Sequence, residues 1–180
     1  MKIAIFGKMA SGKSTLSKFL QYYLANNYDI NLKKISFADK IYDIAYDLFD
    51  MQIKDRKLLQ DIGQKMREID ENIFTKYTMK KCLENNVIIE DCRLLSEFNE
   101  LKNNEFIKIR IKITSELQFE RLKKCYPDTY QNHLQNLNHR SEIELESLQD
   151  DEFDFVVDAE DGDLIYEKIK DFIDSKLIIS

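Results

Sequence analysis

The residue types that bind and transfer phosphate occur together in one stretch near the start of the sequence, Gly7-Lys8-Met9-Ala10-Ser11-Gly12-Lys13-Ser14. An apolar run, Ile3-Ala4-Ile5-Phe6, precedes it and a segment with helical periodicity follows, which is the context of a P-loop. The backbone N–H groups of a P-loop form an anion-binding hollow, and the positive end of the following helix adds to its field. The lysine reaches the β- and γ-phosphates of a nucleotide, and the serine hydroxyl ligates the Mg²⁺ that bridges them. The residues predicted to bind ATP are Gly7, Met9, Ala10, Ser11, Gly12, Lys13, Ser14 and Thr15, with Lys13 also catalytic and Ser14 also a metal ligand.

A turn that only joins a strand to a helix would match the same pattern. The sequence contains only four glycines, however, and two of them, Gly7 and Gly12, occupy the positions at which a P-loop must curl. We therefore predict a site for ATP and Mg²⁺ in preference to a simple turn.

Two aspartates are candidates for the chemistry beside this loop. Asp91 follows the β-branched run Val87-Ile88-Ile89, and P-loop enzymes place there an acid that orders the metal or its waters. A cap at the end of the strand is the alternative for Asp91. Asp39 is predicted to be catalytic and to contact the substrate by orienting or deprotonating an attacking oxygen. A helix N-cap explains Asp39 equally well.

Arginines supply the predicted contacts to the second substrate. Arg93 lies two residues after Asp91, and its planar fork suits a phosphate, although an ion pair on the surface is the alternative. Arg67 and Asp70 are three residues apart and share one helix face. That spacing fits binding of a phosphate and a sugar or base, and it also fits an ordinary pair within the helix.

The polar segment 123–140 contains the only proline and both histidines, and we interpret it as a candidate lid. Arg121 and Arg140 bracket it and are predicted to be catalytic, because a closing arginine neutralises charge on a transferred phosphoryl group. A solvated helix face is the alternative for each. A capping box at Ser141-Glu142-Ile143-Glu144 predicts that a helix begins after the lid.

Apolar runs alternate with segments of helical periodicity along the whole chain, which predicts a parallel sheet with helices on both faces. We expect the second strand at Ile35-Ser36-Phe37 and the last strand from Phe153 to Val157. The expected fold is α/β, a three-layer P-loop NTPase fold with about five parallel strands in one domain over residues 1–180. Within it, residues 38–86 form a helical region that binds the acceptor.

Composition narrows the class of protein. The chain has 180 residues, 43% of them hydrophobic, and its net charge of −6 argues against binding a nucleic-acid polymer through phosphate neutralisation. There is no apolar run long enough to cross a bilayer and no signal peptide, so neither a membrane partner nor export is expected. Three dispersed cysteines suit a reducing compartment. We expect a cytoplasmic monomer or homodimer, in the host cytoplasm if a phage encodes it.

Together these segments resemble the deoxynucleoside monophosphate kinases of the bacteriophage type. The resemblance covers most of the chain and rests on Lys2 to Ser14, Ser36-Phe37-Ala38-Asp39-Lys40, Leu58-Leu59-Gln60, Ile62-Gly63, Arg67-Glu68-Ile69-Asp70, Ile89-Glu90-Asp91-Cys92-Arg93 and His139-Arg140-Ser141-Glu142. It implies ATP with Mg²⁺ as donor, a deoxynucleoside 5′-monophosphate as acceptor and a moving lid. It also implies that Arg67, Asp70 and Arg93 lie at the acceptor, and that Lys13 and Asp91 lie at the transferred phosphate and the metal.

The sequence departs from that family in two places. Ile73 stands where many relatives have tryptophan, and the loop 158–162 is acidic where relatives often have asparagine. The expected reaction is phosphoryl transfer from Mg-ATP to a (deoxy)nucleoside 5′-monophosphate. The alternatives are a small-metabolite kinase resembling dephospho-coenzyme A kinase and a nucleotide-binding ATPase module without an acceptor.

Overall fold

A computed structural model of the protein describes residues 1–83, 86–135 and 144–178. Its strands are β1 (Lys2–Phe6), β2 (Lys33–Lys34), β3 (Val87–Ile89), β4 (Ile107–Lys112) and β5 (Phe155–Asp158). Its helices are α1 (Lys13–Tyr28), α2 (Asp39–Phe49), α3 (Arg56–Ile69), α4 (Ile73–Lys81), α5 (Leu95–Asn103), α6 (Ser115–Cys125), α7 (Tyr130–Gln135) and α8 (Leu164–Ile178). Short 3₁₀ helices occupy Glu144–Ser147, Asp150–Glu152 and Ala159–Asp161.

The five strands form one sheet in the order β2-β3-β1-β4-β5, and every pair is parallel. β1 lies at the centre, with Ile3 opposite Ile88 on one side and Ile107 on the other. Because parallel strands all end at the same edge of a sheet, the loops after β1 and β3 are brought together there. The predicted three-layer α/β fold is confirmed.

Both faces of the sheet are covered by apolar helix surfaces. Leu16, Leu20 and Leu24 of α1 pack with Ile169 and Ile173 of α8 on one face, and all five side chains are buried. Phe98 and Leu101 of α5 pack on the other face with Met79, Phe106 and Phe153. Burial on both faces explains why the central strands β1 and β3 read as continuous apolar runs.

The helical region predicted for residues 38–86 has an apolar core of its own. Ile41 and Ala45 of α2 pack with Met51, Ile62 of α3 and Phe74 of α4. These three helices therefore form a separately packed wall next to the carboxyl edge of the sheet.

Two predicted strand positions are wrong by two residues. β2 is Lys33–Lys34 instead of Ile35-Ser36-Phe37. Ile35 and Phe37 are buried as expected. The N–H of Ile35 still donates to Ile88 O of β3, and the chain then leaves β3. β5 begins at Phe155, while Phe153 precedes the strand and packs its ring edge-on against Phe6, with 5.3 Å between the ring centroids. The capping box at Ser141 lies outside the described residues.

Among the helices that the structure describes, none is long and apolar enough to cross a bilayer.

Candidate active site

The loop after β1 has the backbone shape of an anion-binding hollow. Gly7 and Gly12 have φ angles of 151° and 107°, and Ala10 has a φ of 62°, a left-handed conformation that alanine disfavours. A Cβ at Gly7 would lie 2.6 Å from the carbonyl oxygen of Ile111, so the neighbouring strand excludes any side chain there. The N–H of Ser11 donates to Lys8 O at 3.2 Å and closes a turn around Ala10.

Side chains of helix α6 donate hydrogen bonds to backbone carbonyls of the loop. Gln118, which is buried, donates from Nε2 to Met9 O at 2.9 Å. The guanidinium of Arg121 donates to Ala10 O at 3.3 Å, to Ser11 O at 3.1 Å and to Ala159 O at 3.0 Å. Because the C=O and N–H of a trans peptide point in opposite directions, these contacts turn the following N–H groups away from α6. Arg121 therefore supports the loop in this arrangement, and its predicted action on a transferred phosphoryl group stays a prediction.

Lys13 and Ser14 are the first two residues of helix α1 and lie at the mouth of the hollow. Lys13 Nζ donates to Gly7 O at 2.6 Å and to Lys8 O at 2.9 Å, so the ammonium group lies over the start of the loop. Ser14 Oγ donates to Oε1 of Glu90 at 2.8 Å. Glu90 also accepts a hydrogen bond from the ammonium of Lys34. The carboxylate beside Ser14 is thus Glu90, the residue before the predicted Asp91.

The surroundings of Glu90 favour its ionised form. Burial alone would raise its pKa, but the bonds from Lys34 and Ser14 outweigh burial and hold the pKa below the ordinary value. Its other oxygen, Oε2, is buried, and the buried hydroxyl of Ser17 also helps to lower the pKa of this carboxyl group. A serine hydroxyl beside an ionised carboxylate suits Mg²⁺, which keeps several of its waters in phosphate-transfer sites. The described part of the chain contains no group of three or more His, Cys, Asp or Glu side chains that could hold a metal ion.

Asp91 contacts a different part of the site. One of its oxygens accepts from the N–H of Phe37 at 3.1 Å, and the other accepts from Ser36 Oγ and from the N–H of Ala38 at 3.2 Å. Burial raises the pKa of Asp91, against these hydrogen bonds. Asp91 therefore ties the end of β3 to the turn after β2, while its predicted role at the metal stays a prediction.

Two cavities meet at the carboxyl edge of the sheet. The first has a volume of about 500 Å³ and is lined by the P-loop, including Lys13 and Ser14, and by Glu90. The second has a volume of about 640 Å³ and lies against α2, α3 and the start of α5. Asp91 and Arg93 line both cavities. We refer to them as the P-loop cavity and the helical-wall cavity.

The helical-wall cavity combines charged and apolar groups. Arg67 lines it, with its guanidinium carbon 5.1 Å from the centroid of the Phe74 ring. Glu97 also lines it and is only 3% exposed; its Oε2 accepts from the N–H groups of Arg93 at 2.8 Å and Leu94 at 3.1 Å. Burial raises the pKa of Glu97 to about 7, although these two N–H groups act in the opposite direction. The remaining lining includes the apolar side chains Phe37, Ala38, Ile41 and Leu94.

Six of the predicted site residues that the structure describes do not line either cavity: Ser11, Gly12, Thr15, Asp39, Asp70 and Arg121. Asp70 caps the end of α3, where its carboxylate binds Lys76 Nζ at 2.7 Å and the N–H of Asn72 at 3.0 Å. Asp39 lies in the first turn of α2, and its Oδ2 accepts from the N–H of Ser36 at 3.1 Å. Arg140 lies outside the described residues. The predicted roles of Asp39, Asp70 and Arg140 stay predictions.

Sequence reasoning missed Glu90 and Glu97. Neighbouring residues at the end of a strand direct their side chains to opposite faces, so either Glu90 or Asp91 was available to meet Ser14. Choosing between them requires knowing which face of β3 is turned toward the loop. Glu97 carried a weaker signal, because its burial depends on how α5 packs against the helical wall.

No protein-family model and no curated protein matches the sequence. Solved structures do match over nearly the whole chain. An uncharacterized protein from Eubacterium ventriosum is 18% identical with a TM-score of 0.55, and the match covers 97% of this chain and 99% of that one. A shikimate kinase from Bacteroides thetaiotaomicron is 16% identical with a TM-score of 0.52, covering 98% of both chains.

A third protein, from Thermus thermophilus, is 14% identical with a TM-score of 0.51 and covers 88% of this chain and 87% of its own. At these identities the likeness shows the fold alone. The glycine-containing loop after β1, the parallel sheet and the shared architecture establish that this chain has the P-loop NTPase fold.

Proposed function

We propose that the protein is a kinase that transfers the terminal phosphoryl group of Mg-ATP to a (deoxy)nucleoside 5′-monophosphate. The observation that carries the proposal is the meeting of two cavities at Asp91 and Arg93. One cavity contains a phosphate-binding loop, and the other contains a second arginine, Arg67. A donor and an acceptor bound in these cavities would bring their phosphates together at Arg93.

The P-loop cavity suits the triphosphate of the donor. The loop supplies backbone N–H groups, the start of α1 supplies the positive end of a helix dipole, and Lys13 supplies a full positive charge. Ser14 and Glu90 would hold the hydrated Mg²⁺, which supplies charge neutralisation across the donor phosphates when it is bound. The contacts from Gln118 and Arg121 fix the loop before the donor binds.

The helical-wall cavity offers two arginines and an apolar surface to an acceptor, beside the carboxyl groups of Glu68, Glu71 and Glu97. Its volume of about 640 Å³ lies within the range of about 300 to 1,000 Å³ that is usual for small-molecule sites. Arg67 and Arg93 offer planar forks for a phosphate, which arginine binds bidentately. Phe37, Ile41 and Leu94 offer apolar surface for a base.

Phosphoryl transfer of this kind needs little covalent help from the protein. The transition state spreads charge over three equatorial oxygens, so the enzyme must hold donor and acceptor in line and neutralise that charge. Lys13 lies on the donor side and Arg93 at the junction, so both positive groups act where the charge develops. Glu97 fixes the backbone of Arg93 through the 2.8 Å bond to its N–H.

A small-metabolite kinase is the second candidate. The shikimate kinase from Bacteroides thetaiotaomicron has the same fold, and arginines in the helical-wall cavity would also bind a carboxylate. The third candidate is an ATPase module that uses no acceptor.

One assay separates these candidates. The protein is incubated with Mg-ATP and each ribo- and deoxynucleoside 5′-monophosphate, and ADP formation is followed. Matched reactions contain the unphosphorylated nucleosides, shikimate, dephospho-coenzyme A or no acceptor. We expect ADP to form only with a 5′-monophosphate, together with the nucleoside diphosphate. ADP formation that depends on shikimate or dephospho-coenzyme A, or that is independent of every acceptor, would refute the proposal.

A further inference from the structure

A glycine lies in the middle of α3, where glycine is disfavoured relative to alanine. Gly63 is buried and has no left-handed backbone angle that would require glycine. The reason for a glycine at this position must therefore be the space that a side chain would occupy.

Two neighbouring groups fill that space. A Cβ at Gly63 would lie 3.1 Å from Nη1 of Arg67 and 3.4 Å from Cδ1 of Ile41. Arg67 is four residues further along α3 and on the same face, so its side chain folds back over Gly63. The guanidinium also lies on the ring of Phe74, 5.1 Å from the centroid. The Arg67 guanidinium thus lies close to both Gly63 and the Phe74 ring.

We propose that Gly63 is a positioning residue for the acceptor. Its missing side chain lets the guanidinium of Arg67 lie close to the axis of α3, facing the helical-wall cavity. An alanine at this position would displace Nη1 by a few tenths of an ångström and turn the fork away from its target. The proposal rests on the proposed function in one respect, because it takes the group that Arg67 binds to be the acceptor's phosphate.

The competing explanation is that Gly63 serves only the packing of α2 against α3 through Ile41. The chain offers a matched variant that separates the two explanations. Ile41→Val removes Cδ1, the one atom of Ile41 near the added Cβ, and leaves Arg67 untouched. The double variant Ile41→Val/Gly63→Ala therefore relieves the helix contact but keeps the contact with Arg67.

The kinetic test uses Gly63→Ala, the double variant and Ile41→Val, with the best acceptor from the panel above. A hydrogen bond from a charged group is worth roughly tenfold or more in affinity, so weakening one from Arg67 predicts a roughly three- to tenfold rise in acceptor KM with little change in kcat. The same rise should appear when the double variant is compared with Ile41→Val, which is its reference because Ile41 also lines the cavity. In an Arg67→Ala background, Gly63→Ala should add no further change. A KM in the double variant equal to that of Ile41→Val would overturn the proposal, as would an unchanged KM in Gly63→Ala.

A second readout needs no substrate. The side-chain Nε–Hε signal of Arg67, assigned in the ¹⁵N–¹H spectrum by its loss in Arg67→Lys, should shift in Gly63→Ala and in the double variant. It should stay in place in Ile41→Val. If no nucleotide is phosphorylated, the proposed function fails while this comparison still decides where Arg67 lies. An Arg67 signal that is identical in wild type and Gly63→Ala would overturn the positioning role by itself.

Discussion

Glu97→Gln should make the protein progressively more stable than the wild type as pH rises. Glu97 is 3% exposed, and burial raises its pKa from the ordinary value of 4.5 to about 7. Both N–H groups that it binds, those of Arg93 and Leu94, donate to the same oxygen. A glutamine carbonyl can accept the same two bonds, so the variant removes the charge and keeps the hydrogen bonds.

The sign follows from proton binding. Because the pKa of Glu97 is higher in the folded protein, the folded state binds more protons than the unfolded state between about pH 4.5 and pH 7. The free energy of unfolding contributed by this group therefore falls as pH rises through that window. For pKa values of 4.5 and 7, the linkage relation gives a loss of about 2 to 3 kcal/mol between pH 5 and pH 8.

Urea unfolding at pH 5 and pH 8 measures this effect directly. The difference in free energy of unfolding between Glu97→Gln and wild type should grow by about 2 to 3 kcal/mol in favour of the variant at the higher pH. Glu100→Gln removes an exposed carboxylate from the same helix and serves as the control. If this difference in the free energy of unfolding is the same at both pH values, the claim that burial disfavours the charged form of Glu97 is refuted.

Three further predictions concern the loop and the arginine at the junction. Ala10→Gly should raise the free energy of unfolding by about 1 kcal/mol, because it removes a left-handed alanine, and a loss of stability in urea unfolding would contradict this. Lys13→Ala should keep the circular dichroism spectrum of the wild type and lower kcat by about 100-fold or more. The control Lys18→Ala, an exposed change on the same helix, should leave kcat unchanged. A near-normal kcat in Lys13→Ala would contradict a catalytic role for Lys13. Arg93→Ala should lower kcat/KM for the acceptor by roughly 10- to 100-fold, whereas the exposed control Arg56→Ala should leave it unchanged; equal values for the two variants would count against Arg93.

The fold followed from the sequence wherever a local pattern decides the structure. β1, the loop and α1 were predicted from an apolar run, two glycines and helical spacing, because each of these acts over a few neighbouring residues. β2 was misplaced because Ile35 and Phe37 are buried without being paired along their length. Burial and strand pairing have the same signature in a sequence, and only the structure separates them.

The site was less predictable because its decisive contacts join distant segments. Ser14 meets Glu90 across 76 positions, and Arg121 meets Ser11 across 110. Arg121 has the charge that a catalytic arginine needs, and nothing in its neighbours along the chain indicates that it donates to carbonyls behind the loop. The sequence therefore predicts which groups are available, and the packing of the helices determines which of them meet.

The most direct measurement is calorimetric titration with a bisubstrate analogue, adenosine joined through five phosphates to the nucleoside of the best acceptor. If the two cavities bind donor and acceptor with their phosphates meeting at Arg93, one analogue should bind per chain. Its affinity should exceed that of ATP or of the monophosphate alone by about 100-fold or more, because the second contact becomes intramolecular. An analogue that binds no more tightly than ATP, or that leaves the helical-wall cavity open to a separate monophosphate, would contradict the account.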